Sequence, residues 1–114
     1  MKIKYDYILI DDDELVRMTW EFNAQIRKHN FKAYSNVKDL ELDLVNIDVE
    51  TVLYIDSNLG KDEAGQEVKG EILAQKIFKQ GFLKIYLATG YNPEAFNHIQ
   101  FIKGVINKEP PKEL

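Results

Sequence analysis

The stretch ILIDDDELVR, residues 8–17, joins an apolar run to three consecutive aspartates. The run begins at YDYILI, residues 5–10, and its short, nearly all-apolar character predicts a strand that is buried on both faces. Carboxylates that adjoin one another at the edge of a core repel each other and lose hydration, so something must offset their charge. A divalent cation is the obvious candidate, because Mg²⁺ prefers hard oxygen ligands.

The composition fits a single globular domain over residues 1–114. The chain is 45% hydrophobic and 30% charged, which is typical of an ordinary folded domain. It has no cysteine, which excludes disulfides and thiolate metal sites and is compatible with a reducing cytoplasm. The net charge of −4 without a lysine- or arginine-rich block argues against direct nucleic-acid binding. The first apolar run is too short for a signal peptide or a membrane span, so we expect a cytoplasmic protein.

The spacing of the apolar residues, together with the positions of glycine, proline and helix-capping residues, predicts alternating strands and helices. From Asp13 to about Lys28 the sequence carries an apolar stripe at helical spacing, of the kind that packs against a core. Its members are Leu15, Met18, Phe22 and Ile26, with Val16, Trp20 and Ala24 flanking them.

The remaining elements follow the same alternation. A helix capped by Ser35 or Asn36 and carrying Leu40, Leu44 and Ile47 is expected next, and the glycine-bearing segment 57–70 is predicted to be a loop. Further strands are predicted at 31–35, 51–56, 84–89 and 104–107, and further helices at 71–81 and, for one or two turns, at 92–99. The order βαβαβαβαβ predicts a parallel sheet with right-handed crossovers.

Polar residues stand at the ends of four of these strands. Asp11 and Asp12 end the first strand, Asp56 the third and Thr89 the fourth, and Lys108 follows the fifth. In a parallel α/β sheet the site lies beyond the carboxyl ends of the strands, so these groups should meet at one rim. The carboxylates suit Mg²⁺, the lysine and hydroxyl can hold phosphoryl oxygens, and an aspartate can act as nucleophile.

The segments ILIDDDELVR, YIDSNL, LAT and VINKEPP resemble the signature segments of the response-regulator receiver domain of two-component signalling. The resemblance runs from about residue 5 to residue 111. It implies a three-layer flavodoxin-like (CheY-like) sandwich, in which a five-stranded parallel sheet has the strand order 2-1-3-4-5.

The resemblance also implies roles for individual residues. Asp56 matches the phosphoacceptor, and Asp11 and Asp12 match the acidic pair that binds Mg²⁺ together with Asp56. The backbone carbonyl of Asn58 would be a further metal ligand. Thr89 matches the hydroxyl that moves toward the phosphoryl group, and Lys108 matches the lysine that ties the phosphate to the sheet.

Several positions depart from the family pattern. The segment after the phosphoacceptor is longer than usual, with Gly60 where the family has a proline and Gly70 as the family glycine. The fourth helix should be about a turn shorter, and Val105 replaces the usual aromatic switch residue. Glu109 separates the lysine from the proline that normally follows it. The sequence reaches Leu114 where a fifth helix should begin, so that helix is expected to be short or absent.

Three functions follow from these residues. The first is a phosphorylation-dependent switch. A histidine kinase or phosphotransfer protein would phosphorylate it, and a downstream protein effector would respond to its phosphorylation state. Its enzymatic activity is at most self-phosphorylation from a phosphodonor and autodephosphorylation. The second is a receiver-like interaction module that works without phosphorylation, which the altered fourth and fifth helices favour. The third is a flavin- or nucleotide-binding protein, but the acids after the first strand would repel a phosphate where a glycine-rich loop is needed.

Overall fold

The computed structural model describes residues 2–112 and contains a five-stranded parallel sheet, a two-stranded hairpin, three α-helices and one 3₁₀ turn in that range. The strands are β1 Tyr7–Ile10, β2 Phe31–Tyr34, β3 Val52–Ile55, β4 Asn58–Lys61, β5 Glu67–Lys69, β6 Ile85–Ala88 and β7 Gly104–Ile106. The helices are α1 Glu14–Arg27, α2 Val37–Leu44 and α3 Gly70–Lys79, and the 3₁₀ turn is Pro93–Phe96.

The large sheet has the order β2-β1-β3-β6-β7, and every neighbouring pair is parallel. The prediction of an α/β fold with a five-stranded parallel sheet is confirmed. The predicted order, 2-1-3-4-5, does not include β4 and β5, which lie in the chain between β3 and the last two strands of the sheet. Those two strands therefore carry the labels β6 and β7.

Successive residues of the buried strands point to opposite faces of the sheet and so build two cores. On one face Ile8 and Ile10 pack with α2 and α3, and on the other Tyr7 and Leu9 pack with Trp20 of α1. All four residues of β1 are buried, as the uninterrupted apolar run predicted. The helices thus lie in layers on both sides of the sheet.

The ends of α1 follow from its flanking residues. The side chain of Asp13 accepts a hydrogen bond from the backbone N–H of Leu15, which caps the first turn. Lys28 ends the helix in the left-handed region with a φ of 58°. The predicted bounds of this helix, Asp13 to about Lys28, are confirmed.

The orientation of α1 corrects the prediction from its apolar stripe. The stripe faces solvent: Leu15, Met18, Phe22 and Ile26 are 73%, 56%, 65% and 65% exposed. Trp20 and Ala24, which the prediction placed at its flank, are buried against the sheet. The reason is that α1 has apolar residues on both sides, and the large indole of Trp20 fills the space above Tyr7 and Tyr54.

The segment 57–70 was predicted to be a loop, and this prediction is wrong. Asn58–Lys61 and Glu67–Lys69 pair as an antiparallel hairpin, with Asn58 opposite Lys69. The connection is held by the carboxylate of Asp62, which accepts hydrogen bonds from the backbone N–H groups of Ala64 and Gln66.

Beyond β6 the helical content is small. The 3₁₀ turn is capped by the side chain of Asn92 and has a proline in its first positions, which confirms the predicted one or two turns. Between β7 and residue 112 the structure contains no helix, while the last part of the expected fifth-helix region, residues 113–114, lies outside the described residues. None of the described helices combines the length and the apolar character that crossing a membrane requires.

Candidate functional site

Asp11 and Asp56 lie side by side, because they directly follow the neighbouring parallel strands β1 and β3. The backbone N–H of Asp11 donates to Tyr34 on one side, and that of Asp56 donates to Ile10 on the other, so ladder hydrogen bonds fix both residues. The side chains of Asp11 and Asp56 are 0% and 2% exposed. Two carboxylates buried this fully need compensating charge.

Lys108 supplies that charge from beyond the end of β7. Its Nζ donates to Oδ2 of Asp11 at 3.2 Å and to Oδ2 of Asp56 at 3.0 Å. The backbone of Lys108 is itself held by α1, because Nε1 of Trp20 donates to its carbonyl oxygen at 2.9 Å. Lys108 therefore bridges the ends of two strands, at Asp11 and Asp56, which precede it in the sequence by 97 and 52 residues.

Burial and charge together shift two pKa values in this cluster. Desolvation raises the pKa of Asp56, and the nearby Asp11 adds to the rise, while the hydrogen bond from Lys108 opposes it. For Lys108 burial lowers the pKa, but the hydrogen bond and charge of Asp56, with those of Asp11, outweigh it and leave the pKa raised. The buried carboxylate is thus harder to ionise than usual, and the lysine stays protonated.

Asp12 completes the acidic group from an exposed position. Asp11, Asp12 and Asp56 each offer one carboxylate oxygen, and these oxygens lie within 4.8 Å of one another. Three carboxylates against the ammonium of Lys108 and the guanidinium of Arg17, which donates to the carbonyl oxygen of Asp11 at 2.8 Å, leave an excess of negative charge. Hard oxygen donors of this kind fit Mg²⁺, which uses one or two carboxylates and completes its shell with water or phosphate oxygens.

The hairpin encloses the site from the side of β3. Asn58 begins β4, and its backbone N–H donates to Oδ1 of Asp56 at 3.3 Å. A Cβ added to Gly60, which has a φ of 79°, would lie 3.0 Å from Oδ2 of Asp12. The positive φ favours glycine at this position, and a Cβ would require the carboxylate of Asp12 to shift by a few tenths of an ångström.

The glycine at the start of α3 has a similar role on the backbone of Asp56. A Cβ on Gly70 would overlap with the carbonyl oxygen of Asp56, and the N–H of Gly70 donates to the carbonyl of Ser57. The helix therefore begins in direct contact with the strand end that carries the aspartate. Any larger residue would force the two apart.

Thr89 is connected to the site through the hydroxyl of Ser57. It follows β6, is buried, and its Oγ1 lies 2.7 Å from Oγ of Ser57, the neighbour of Asp56 in the chain. The same Oγ1 accepts the backbone N–H of Tyr91 at 3.1 Å. Thr89 thus links the residue after the central aspartate to the segment that follows β6.

The segment after β6 lines a solvent-accessible cavity beside the site. Tyr91 is exposed and lines a cavity of about 270 Å³ together with Ser57, Asn58 and Glu71. Val105, where the family resemblance calls for an aromatic residue, is half-buried and packs against the apolar core.

The structure brings the side chains that the sequence predicted for this site close together. The structure brings Asp11, Asp56 and Lys108 into direct hydrogen-bonded contact, places Asp12 in the same carboxylate group, and ties Thr89 to it through Ser57.

Sequence reasoning missed three contributors. Ser57 carries a hydroxyl beside Asp56 and could have been noticed from that adjacency. The hydrogen bond from Trp20 to Lys108 and the close approach of Gly60 to Asp12 depend on tertiary packing, for which the sequence holds no signal.

Comparison of the chain with protein-family models, with curated proteins and with solved structures gives no match. The assignment of a function therefore depends on the geometry of this site.

Proposed function

We propose that this chain is a receiver domain with a flavodoxin-like fold, in which Asp56 accepts a phosphoryl group in a Mg²⁺-dependent step. The observation that carries the proposal is the bridge from Lys108 to the buried carboxylates of Asp11 and Asp56 at the carboxyl rim of the parallel sheet. An ammonium fixed between two acids at this rim is what a phosphoacceptor site needs.

The surroundings of Asp56 suit it to act as a nucleophile. Its carboxylate is held from both sides, by Lys108 at one oxygen and by the N–H of Asn58 at the other. In the reaction a carboxylate oxygen attacks the phosphorus atom of the donor. An oxygen–phosphorus bond forms, and the bond from phosphorus to the donor's leaving group breaks, with the electron pair going to that group.

The residues around the acids would stabilise the product. Lys108 remains protonated, since its pKa is raised, and is close enough to Asp56 to pair with a phosphoryl oxygen. The hydroxyls of Ser57 and Thr89 lie within hydrogen-bonding distance of each other at the carboxyl edge of the sheet, and this pair can donate a hydrogen bond to a phosphoryl oxygen. Asp11, Asp12, Asp56 and the backbone carbonyl of Asn58 would hold Mg²⁺, which neutralises the negative charge of the transferring group.

The proposal includes the partners of such a domain. A histidine kinase or a phosphotransfer protein in the cytoplasm would donate the phosphoryl group, and a protein effector would read the result. The added charge on Asp56 would act on the hydroxyl pair of Ser57 and Thr89 and, through the hydrogen bond from Tyr91, on the segment after β6.

A second candidate function is a receiver-like interaction module that works without phosphorylation. Each buried acid has hydrogen-bond partners from the chain itself: Lys108 donates to both, and the backbone N–H groups of Asp13 and Asn58 donate to Asp11 and Asp56 respectively. The single 3₁₀ turn and the half-buried Val105 leave the usual switching surface reduced. These observations favour a static site over a switching one.

Intact-mass measurement separates the two candidates. The protein is mixed with Mg²⁺ and acetyl phosphate, and we expect an adduct of one phosphoryl group that is absent from Asp56→Asn. The matched control is Asp62→Asn, which should still form the adduct. Asp62 is exposed, and its carboxylate accepts hydrogen bonds from the hairpin turn at Ala64 and Gln66.

Beryllofluoride provides a second measurement that needs no covalent step. With Mg²⁺ it should raise the melting temperature of the parent protein and leave that of Asp56→Asn unchanged, because a ligand specific to the folded state stabilises it. Failure to form the adduct, together with no response to beryllofluoride, would rule out the phosphoacceptor role and leave the interaction module.

A further inference from the structure

The outer face of α1 is apolar and open to solvent. Leu15, Met18, Phe22 and Ile26 follow one another at intervals of three or four residues, so they form a single row along the helix. Each is more than half exposed, although Trp20 and Ala24 on the other side of the same helix are buried. A continuous row of four large apolar side chains on one helix is typical of an interaction surface.

We propose that this row, the outer face of α1, is the contact between two copies of this chain, paired through antiparallel α1 helices. This inference is independent of the phosphoacceptor chemistry, since none of the four side chains belongs to that site.

The order of the residues makes the face complementary to itself. In an antiparallel pair centred near Trp20, Leu15 lies opposite Ile26 of the second copy and Met18 lies opposite Phe22 of the second copy. A two-fold axis repeats each contact, which is the usual arrangement of homodimers. The long side chains alternate along the row and can interdigitate as in other helix pairs.

The charges at the two ends of the helix favour the antiparallel arrangement. Glu14 begins α1 and Lys28 ends it, and both are exposed. Antiparallel pairing brings Glu14 of one copy toward Lys28 of the other and sets the two helix dipoles against each other favourably. Parallel pairing would instead oppose like charges at both ends.

The size of the face limits the strength of the association. A stable interface buries about 800 Å² on each partner, which is more than one row of four side chains provides. Glu21 also lies near the two-fold axis at the edge of the row, where it would meet its own copy. We therefore expect a weak dimer whose population rises with protein concentration.

Sedimentation velocity over a wide concentration range tests the proposal. The parent protein should pass from monomer to dimer, and Phe22→Glu should stay monomeric at every concentration. The control is Leu42→Glu, which introduces the same charge at an equally exposed apolar residue of α2 and should dimerise like the parent. A parent protein that remains monomeric, or a dimer that survives Phe22→Glu, overturns the proposal.

A charge exchange tests the antiparallel orientation. Glu14→Lys should raise the dissociation constant several-fold, and adding Lys28→Glu to it should restore the parent value, because the two ends are again opposite in sign. A double variant that dimerises no better than Glu14→Lys overturns the antiparallel arrangement.

Cross-linking tests the register directly, since the chain has no cysteine of its own. Leu15→Cys and Ile26→Cys proteins, mixed and treated with a short bis-maleimide, should give a cross-linked dimer that contains one of each. Leu15→Cys alone should give much less, because the two copies of that residue lie at opposite ends of the contact. Equal yields from the mixture and from Leu15→Cys alone overturn the register.

Discussion

Two regions of this molecule reverse the usual placement of polar and apolar groups. At the rim of the sheet, Asp11 and Asp56 are buried with Lys108 bound between them, whereas on the outer face of α1 four large apolar side chains lie in solvent. Charges are normally outside and large apolar groups inside. Departures of this kind are expected where a protein binds or reacts, and each region can be tested against a residue in ordinary surroundings.

The largest expected difference is between the two faces of α1. Trp20→Ala removes a fully buried indole and its hydrogen bond to Lys108, and should lower the free energy of unfolding by about 3–5 kcal/mol. Phe22→Ala, on the outer face of the same helix, should change it by less than about 0.5 kcal/mol. Urea unfolding at low protein concentration measures both, and similar losses would mean that the outer face is packed after all.

The same two regions show what the sequence can predict. The rim was predictable because parallel strands end at one edge, so Asp11, Asp56 and Lys108 meet wherever the backbone order is right. The burial of α1 was not, since apolar residues occur on both of its sides and spacing alone does not say which side meets the sheet.

The hairpin was missed for a related reason. Only Leu59 and Val68 mark its inner side, and so few apolar residues give no clear alternation. The turn does have a sequence signal, because a glycine in a short connection between two strands is typical of a hairpin. In the structure this glycine, Gly65, has a φ of 81°. The contact between Gly60 and Asp12 depends on how this hairpin packs and could not be predicted.

The next prediction concerns the buried ion pair. Lys108→Met keeps the aliphatic stem but leaves Asp11 and Asp56 without their cation, so the free energy of unfolding at neutral pH should fall by about 3 kcal/mol. Lys84→Met is the matched control: Lys84 pairs with Glu50 at 3.0 Å, the same distance, but both groups are exposed. Its loss should stay below about 1 kcal/mol.

Chemical denaturation of both variants at neutral pH provides the measurement. Equal losses for Lys108→Met and Lys84→Met would show that burial adds nothing to the bridge. The buried charges would then be no more costly than ordinary surface charges.

Two glycines of the hairpin test how closely the acids are enclosed. Gly60 and Gly65 have φ angles of 79° and 81°, so alanine at either should cost about 1–2 kcal/mol in backbone strain. Only Gly60→Ala also pushes against Asp12, since nothing lies within 4 Å of a Cβ on Gly65. Gly60→Ala should therefore reduce the rise in melting temperature that Mg²⁺ produces, and Gly65→Ala should leave that rise intact; equal responses would contradict the enclosure.

The pH dependence of stability tests the burial of Asp56. Because its pKa is raised from 3.8, the folded protein holds the proton more tightly than the unfolded chain does. The free energy of unfolding should therefore fall as pH rises from the unfolded to the folded pKa, by about 1.4 kcal/mol for each unit between them. Asp56→Asn cannot titrate there, so the parent should lose stability relative to this variant as the pH rises.

Melting curves of both proteins in metal-free buffer across this pH range give the comparison. Groups that do not interact with Asp56 or Lys108 cancel in the difference. The raised pKa of Asp56 would be contradicted if the stability difference between the two proteins did not change with pH, or if the parent became more stable relative to the variant as the pH rose.

The smallest expected change in stability comes from Asp12, the exposed member of the acidic group. Asp12→Ala should leave the metal-free melting temperature unchanged or slightly raised, because it removes one of several crowded negative charges. Asp13→Ala alters the neighbouring exposed aspartate, but that side chain caps α1, so it should cost about 1 kcal/mol. Mg²⁺ should then stabilise Asp13→Ala and have no effect on Asp12→Ala; a metal-free Asp12→Ala protein that melts well below the parent would show that this carboxylate supports the fold instead of a cation.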